Sequence, residues 1–492
     1  MYKRSSGILM HISSLPNPYG IGTLGKESYN FVKFLKKSGQ SYWQILPLGP
    51  TGYGDSPYQS LSTFAGNILL IDLKSLKKDG LLRKKDFKKR DFGKNKQKVD
   101  FDKVRKEKTE LLRIAFAKAE KKYKKQLDAF AKAHRQWLED YALFRALKQH
   151  FKLQSWQEWP DELRNRNPKA LAKAKRKHKK EIRFWVFTQF IFFKQWAELK
   201  NYANKNNVEI IGDIPIYVAE DSADVWANPD LFLLDKTNKP IFVSGCPPDA
   251  FSADGQLWGN PIYNWKLMKK QGFQWWIQRI RATFELFDVV RIDHFRGFEA
   301  YWSIPADAET AATGEWVKGP AIQLFDAIKK ELGPLRIIAE DLGFLTQEVL
   351  DLKNATGFPG MKILEFAFDS KEESDYLPHN YDSHCIVYTG THDNDTVMGW
   401  FKNTPKADRK KAIDYLRLTK EEGYHWGFIR GAWSSVAVIA IAQMQDFLGL
   451  DAKARMNIPS TLGGNWQWRM KPNQLDKKLT KRLKKLTTLY GR

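Results

Sequence analysis

VVRID, residues 289–293, is a short β-branched run that stops on a carboxylate. Three more runs share that design: VEIIGD ends on Asp213, RIIAE ends on Glu340, and CIVYTGTHD leads through a turn to Asp393. Continuous apolar runs of this kind suit strands covered by helices on their outer face, as in a parallel sheet. In a closed barrel of parallel strands all C-terminal ends meet on one rim, so acids at those ends converge on one pocket. Converging carboxylates there suggest chemistry on glycosidic bonds.

The strand within CIVYTGTHD is 386–389; working outward, GILMHI (7–12), YWQIL (42–46) and the runs 362–366 and 455–458 read as further strands, bringing the total to eight. Helical patterns lie between them. One covers 187–204, and another is GFQWWIQRIRATFELF, where Phe273, Trp276, Ile277, Ile280, Phe284 and Phe287 share one side. This alternation predicts an α/β fold, a (β/α)8 TIM barrel, rather than an open doubly wound sheet. A chain of 492 residues fits one such barrel with insertions, so residues 1–492 read as a single barrel unit. Two stretches break the alternation: a Lys-rich helical insertion at 74–183 and a loop-rich insertion at 219–265.

The net charge of +25 is concentrated in one place, since 74–183 carries 37 Lys and Arg against 15 Asp and Glu. Leu112, Ala115, Phe116, Ala119 and Tyr123 recur there at three- and four-residue steps, which reads as solvated helix faces over an apolar stripe rather than a nucleic-acid site. There are two cysteines, and no apolar run approaches the ~20 residues of a membrane span. A reduced, cytoplasmic protein with no membrane partner is expected. The 18 Trp offer flat faces for stacking on sugars, with core filling as their ordinary use.

Arg291 and Asp293 are two residues apart on a strand, so both side chains point to the same side. A guanidinium there keeps the carboxylate ionised, as a nucleophile requires, although a structural ion pair has the same spelling. Glu340 closes an apolar strand with no basic residue in the positions after it, so its pKa should be raised and it can donate a proton. Asp341 faces the other way and is expected to cap the next helix. His392 and Asp393 follow the last of the four runs, with Asp395 as a competing acid on the same side as Asp393. The chain has no HxH pair or HExxH helix, and PLGPTGYGDSPYQS lacks the GK[ST] ending of a phosphate loop. No metal, nucleotide or other cofactor is therefore expected, and Tyr53 and Tyr58 in that loop can present aromatic faces to a sugar.

Taken together these segments resemble the 4-alpha-glucanotransferases, the amylomaltases or disproportionating enzymes of glycoside hydrolase family 77 in the alpha-amylase-like group. The resemblance runs along nearly the whole chain, through SSLPNPYGIGTLG, ILPLGPTGYGDSPYQSLSTFAGN, GDIPIYVAEDSADVWANPDLF, GCPPDAFSADGQLWGNPIYNW, RIDHFRGFEAYW, IIAEDLG, GFPGMKILEFAF, YTGTHDNDT and NIPSTLGGNWQWR. It implies a retaining transferase with Asp293 as nucleophile, Glu340 as acid and then base, and Asp393 stabilising the transition state. Arg291, His392, Asp213 and Tyr58 would complete the donor subsite, with Tyr53 and His294 also on substrate. Asp249, Phe251, Gln256 and Trp258 would belong to a lid formed by 219–265, and Asn465 and Trp466 would touch glucan. The implied partners are malto-oligosaccharides, starch- or glycogen-derived glucans, and glucose as acceptor. Two other readings compete: a glucan hydrolase, and a catalytically idle glucan- or nucleic-acid-binding protein.

Overall fold

A computed structural model describes residues 2–248, 254–343 and 345–492, with only the backbone given for Tyr53. Its strands are β1 (Ser5–Leu9), β2 (Tyr42–Gln44), β3 (Glu209–Ile214), β4 (Phe242–Cys246), β5 (Gln256–Pro261), β6 (Val289–Ile292), β7 (Ala300–Pro305), β8 (Glu315–Lys318), β9 (Ile337–Ala339), β10 (Gly360–Ile363), β11 (Cys385–Tyr388) and β12 (Ile439–Gln443). Eight of them form one parallel sheet in the order β10-β11-β12-β1-β2-β3-β6-β9. The ends meet through the Ala339 N–H, which donates to the Pro359 carbonyl at 3.0 Å, and the Met361 N–H, which donates to the Asp341 carboxylate at 2.6 Å. With helices following the strands, this is the expected (β/α)8 barrel.

Two sequence expectations fail here. The eighth strand is Ile439–Gln443, parallel to both β1 and β11, and not 455–458. The latter is irregular chain that bonds to the loop after β11, as described below. Asp341 does not cap a helix; it accepts from Met361 N–H and from Lys353 Nζ at 2.8 Å, whereas the helix Gln347–Thr356 begins six residues later.

Residues 74–183 contain the helices Phe101–Lys122, Lys124–Ala133, Arg135–His150 and Pro168–Lys177, and lead into Lys179–Lys205, which packs on the barrel. Leu112, Ala115, Phe116 and Ala119 are buried, and the terminal lysines Lys121, Lys122 and Lys132 are exposed. The helices hold the long loop after β2 in place. Gln189 and Gln195 each clamp one backbone residue of that loop, Gly66 and Asp72, donating to its carbonyl and accepting from its N–H. Gly66 has no room for a side chain, since a Cβ would lie 2.0 Å from the Phe192 ring. Lys108 is fully buried and donates to the carbonyls of Leu69 and Ile71, and Arg105 pairs with Asp55.

The stretch 219–265 is less irregular than its composition suggests. It supplies β4 and β5, which join β7 and β8 in an antiparallel sheet ordered β5-β4-β7-β8. Along β5, Gln256 and Trp258 share one face and Leu257 takes the other.

Candidate active site

Asp213 of β3 stands opposite Arg291 of β6 in the paired register, near the C-terminal rim. Arg291 Nη1 donates to both Asp213 oxygens at 2.8 Å, and its Nη2 lies 2.9 Å from Asp293 Oδ1. The guanidinium is 3 % exposed and Asp213 is 0 % exposed, so this is a buried cation held between two acids. Burial disfavours its charge, yet Asp213 and Asp293 outweigh that and keep the guanidinium firmly protonated. Tyr58 Oη donates to Asp213 Oδ2 at 2.8 Å, and its ring stacks on His392 with centroids 5.0 Å apart. Trp466 closes this aromatic group at 5.8 Å from Tyr58 and 5.9 Å from His392.

Asp293 and Glu340 each follow one residue after the in-register pair Ile292–Ala339. They sit on neighbouring strands, whose spacing is about 4.8 Å. Their backbones are fixed, Asp293 N–H to the Ile214 carbonyl at 2.9 Å and Glu340 N–H to the Ile292 carbonyl at 3.1 Å. Both Glu340 oxygens accept from main chain: Oε2 from His294 N–H at 2.6 Å, Oε1 from Leu342 N–H at 3.1 Å. His294 reaches this position by adopting a left-handed conformation, φ 51°, which is uncommon for a side-chain-bearing residue.

Burial raises the Glu340 carboxyl to about 7, with the Asp293 charge adding to the rise and Arg291 opposing it. The sequence predicts a depressed Asp293, and this expectation is corrected. Burial lifts Asp293 to about 6, and Arg291 offsets only part of that. The order is the useful one, since Glu340 holds its proton at a pH where Asp293 has lost its own. Asp393 behaves differently. Burial pushes its carboxyl up, but His392, an Asn457 hydrogen bond and Arg291 together hold it well below the usual carboxylate range. His392 Nε2 is 3.3 Å from Asp393 Oδ2, and that carboxylate raises the His392 pKa against the opposing effect of burial.

Asp395 is engaged elsewhere, just before the helix Val397–Asn403, accepting from Thr396 N–H at 2.7 Å and from Asn403 Nδ2, at the far end of that helix, at 3.2 Å. Gln256 and Trp258 are joined by a 3.1 Å bond from the indole N–H, and Trp258 stands edge-on to His294 with centroids 4.8 Å apart. The His294 Nε2 is buried and has no hydrogen-bond partner among the described residues. Asn465 is spent within its own loop, accepting from Ile458 N–H at 3.1 Å and donating to Thr461. Asp249, Phe251 and the Tyr53 side chain lie outside the described residues. Two residues that the sequence does not single out are in the cluster: Asn457 donates to Asp393 Oδ1 at 2.7 Å, and Arg455 donates to the Asp393 carbonyl. Their sequence signal is slight: Asn457 opens the stretch NIPSTLGGNWQWR and Arg455 stands two residues before it.

Residues 10–476 match the family model described as 4-alpha-glucanotransferase. The chain belongs to the 4-alpha-glucanotransferase family. The Clostridium butyricum 4-alpha-glucanotransferase is 53% identical over 485 residues, covering 98% of this chain and 100% of that protein. The Streptococcus pneumoniae 4-alpha-glucanotransferase is 52% identical over 499 residues, covering 100% and 98%. Among solved structures, an amylomaltase from Streptococcus agalactiae in complex with acarbose superposes with a TM-score of 0.97, at 45% identity over all of both chains. The activity is thus 4-alpha-glucanotransfer, on the barrel fold that the amylomaltases share. Among the described residues of this 4-alpha-glucanotransferase, no helix is long and apolar enough to cross a membrane.

Proposed function

We propose that this 4-alpha-glucanotransferase works by double displacement, with Asp293, Glu340 and Asp393 as its catalytic residues. Glu340, protonated, gives its proton to the glycosidic oxygen as the bond to the anomeric carbon breaks. Asp293 forms a new bond to that carbon from the opposite face, leaving a covalent glycosyl-enzyme. Glu340, now a carboxylate, takes the proton from the 4-hydroxyl of an acceptor sugar, which attacks the anomeric carbon and releases Asp293. Two inversions give retention. Asp393, held as an anion, offsets the positive charge that develops on the ring.

The observation that carries this reading is the placement of Asp293 and Glu340 one step past a shared register on adjacent strands, with Glu340 the later of the two to ionise. Asp213, Arg291, His392 and Tyr58 form a polar wall with one aromatic face, which suits a glucose ring in the donor position. His294, whose ring nitrogen has no partner among the described residues, stands with Gln256 and Trp258 on the side of Glu340, where leaving group and acceptor exchange. Asp249, Tyr53 and Asn465 are assigned to glucan contact on the resemblance alone. The acarbose complex of the Streptococcus agalactiae amylomaltase supports a site that takes malto-oligosaccharide-like chains. Donors are then malto-oligosaccharides and longer starch- or glycogen-derived glucans, with glucose or another glucan as acceptor.

Transfer instead of hydrolysis requires that an acceptor reaches the intermediate before water does, and we assign that exclusion to Trp258 and the 219–265 segment as a cover. Incubation with maltotriose and separation of the products by size tests the whole reading. Glucose together with maltopentaose and longer chains is expected, and Asp293→Asn and Glu340→Gln should each abolish both. Production of reducing ends without longer chains would overturn the transfer step, and near-normal turnover by either variant would overturn its assigned role.

A further inference from the structure

The chain segment 455–457 contacts the loop carrying His392 and Asp393 at several points. Asn457 Nδ2 donates to Asp393 Oδ1 at 2.7 Å, and the Asn457 N–H donates to the His392 carbonyl at 3.1 Å. Arg455 donates to the Asp393 carbonyl and, through Nε, to the Asn457 carbonyl at 2.7 Å. The Asp393 side chain is 41% exposed toward the pocket, so the groups bonded to its carboxylate set its orientation. With His392 on Oδ2, the Asn457 amide fixes the second oxygen and hence the plane of the carboxylate. The same segment continues into 458–465, whose neck is closed by Trp466 N–H to the Met456 carbonyl at 2.6 Å. Trp466 then packs on His392 and Tyr58.

We infer that Asn457 is a positioning residue: it holds the Asp393 carboxylate in its working orientation and ties that acid to the 458–465 loop. The inference rests on the catalytic role proposed for Asp393. An amide is suited to the task because it donates to an anion without adding charge beside it. His392, Arg291, Asp293, Tyr58 and Arg455 already surround Asp393 with titratable or charged groups, and a further carboxylate at 457 would be a like charge in hydrogen-bond contact.

That difference supplies the test, in which Asn457→Ala, Asn457→Asp and Asp393→Asn are compared with the parent protein on maltotriose across pH, with melting curves for all four. Loss of a hydrogen bond to a charged group predicts that Asn457→Ala lowers kcat by about ten- to a hundredfold while KM changes little. Asn457→Asp keeps the shape but, ionised, repels Asp393; once protonated it donates as the amide did, so its kcat relative to the parent should recover as pH falls. A merely structural role would give a ratio independent of pH, and that result overturns the inference. So does parental kcat in Asn457→Ala, or in Asn457→Asp at every pH, or a loss of activity matched by a loss of folded protein. If Asp393→Asn is inactive while the Asn457 variants are normal, only the positioning role fails; if Asp393→Asn retains parental kcat, the role of the acid itself fails.

Discussion

Replacing Arg291 with methionine should damage stability and catalysis in separable ways. Arg291 touches both Asp213 oxygens and Asp293, and the Asp213 side chain is wholly buried, with Tyr58 as its other partner named above. Deleting one partner of a buried ion pair leaves an uncompensated charge, at a cost of about 3–5 kcal/mol. At roughly 2.1 cal/mol/K of unfolding entropy per residue, a chain of this length unfolds with about 1 kcal/mol/K, so the melting temperature should fall by about 3–5 °C. The double variant Arg291→Met with Asp213→Asn removes the orphaned charge and should recover most of that loss, a coupling that a double-mutant cycle reads directly. Activity should not return, since Asp293 still lacks its cation. Without Arg291 the Asp293 carboxyl rises further, so the acidic limb of kcat/KM should move to higher pH in both variants. Melting at the parental temperature, or an acidic limb that stays in place, would refute the reasoning.

The parent protein should show a narrow bell in kcat/KM against pH. A raised Asp293 must lose its proton to act, so activity is lost as pH falls through about 6; a raised Glu340 must keep its proton, so activity is lost as pH climbs through about 7. A broad plateau from pH 4 to pH 9 would contradict this narrow bell. Tyr58→Phe keeps the stack on His392 but removes the hydroxyl from Asp213, and should lower kcat/KM by about ten- to a hundredfold; an unchanged value would show the bond is idle. Trp258→Ala should raise the share of maltotriose that is hydrolysed, measured as reducing ends formed per transfer event, and an unaltered share would remove Trp258 from the exclusion of water. Asp395→Asn should lower the melting temperature more than it lowers kcat, with Asp393→Asn showing the reverse; exchanged outcomes would mean the acids were assigned the wrong way round.

The barrel was legible because its strands are short, apolar and separated by strongly periodic helices, and because four of them announce the rim with an acid. The strand Ile439–Gln443 lacks that mark. It ends on glutamine, inside the run SSVAVIAIAQMQDF, where strand and buried helix read alike, whereas 455–458 is a short run that reads as a strand. The error is informative, since 455–457 does meet the rim, but through side-chain and single backbone bonds to residues some sixty positions away. No local pattern encodes such a contact. The electrostatics were half legible for the same reason. Arg291 is visible two residues from Asp293, whereas the burial that outweighs it is contributed by the whole barrel. Within 219–265 the turn-forming residues hid two strands, because β4 finds its second partner in β7, more than fifty residues further on.

The most direct test of the proposed chemistry is to trap the intermediate. An α-maltosyl fluoride carries a leaving group that departs without a proton, so Glu340→Gln can still form the glycosyl-enzyme but lacks the base to resolve it. Intact-mass measurement after mixing should show a gain of one maltosyl unit, and peptide mapping should place it on Asp293. An absence of adduct, or an adduct on Asp393 or any other residue, would contradict the assignment of Asp293 as nucleophile.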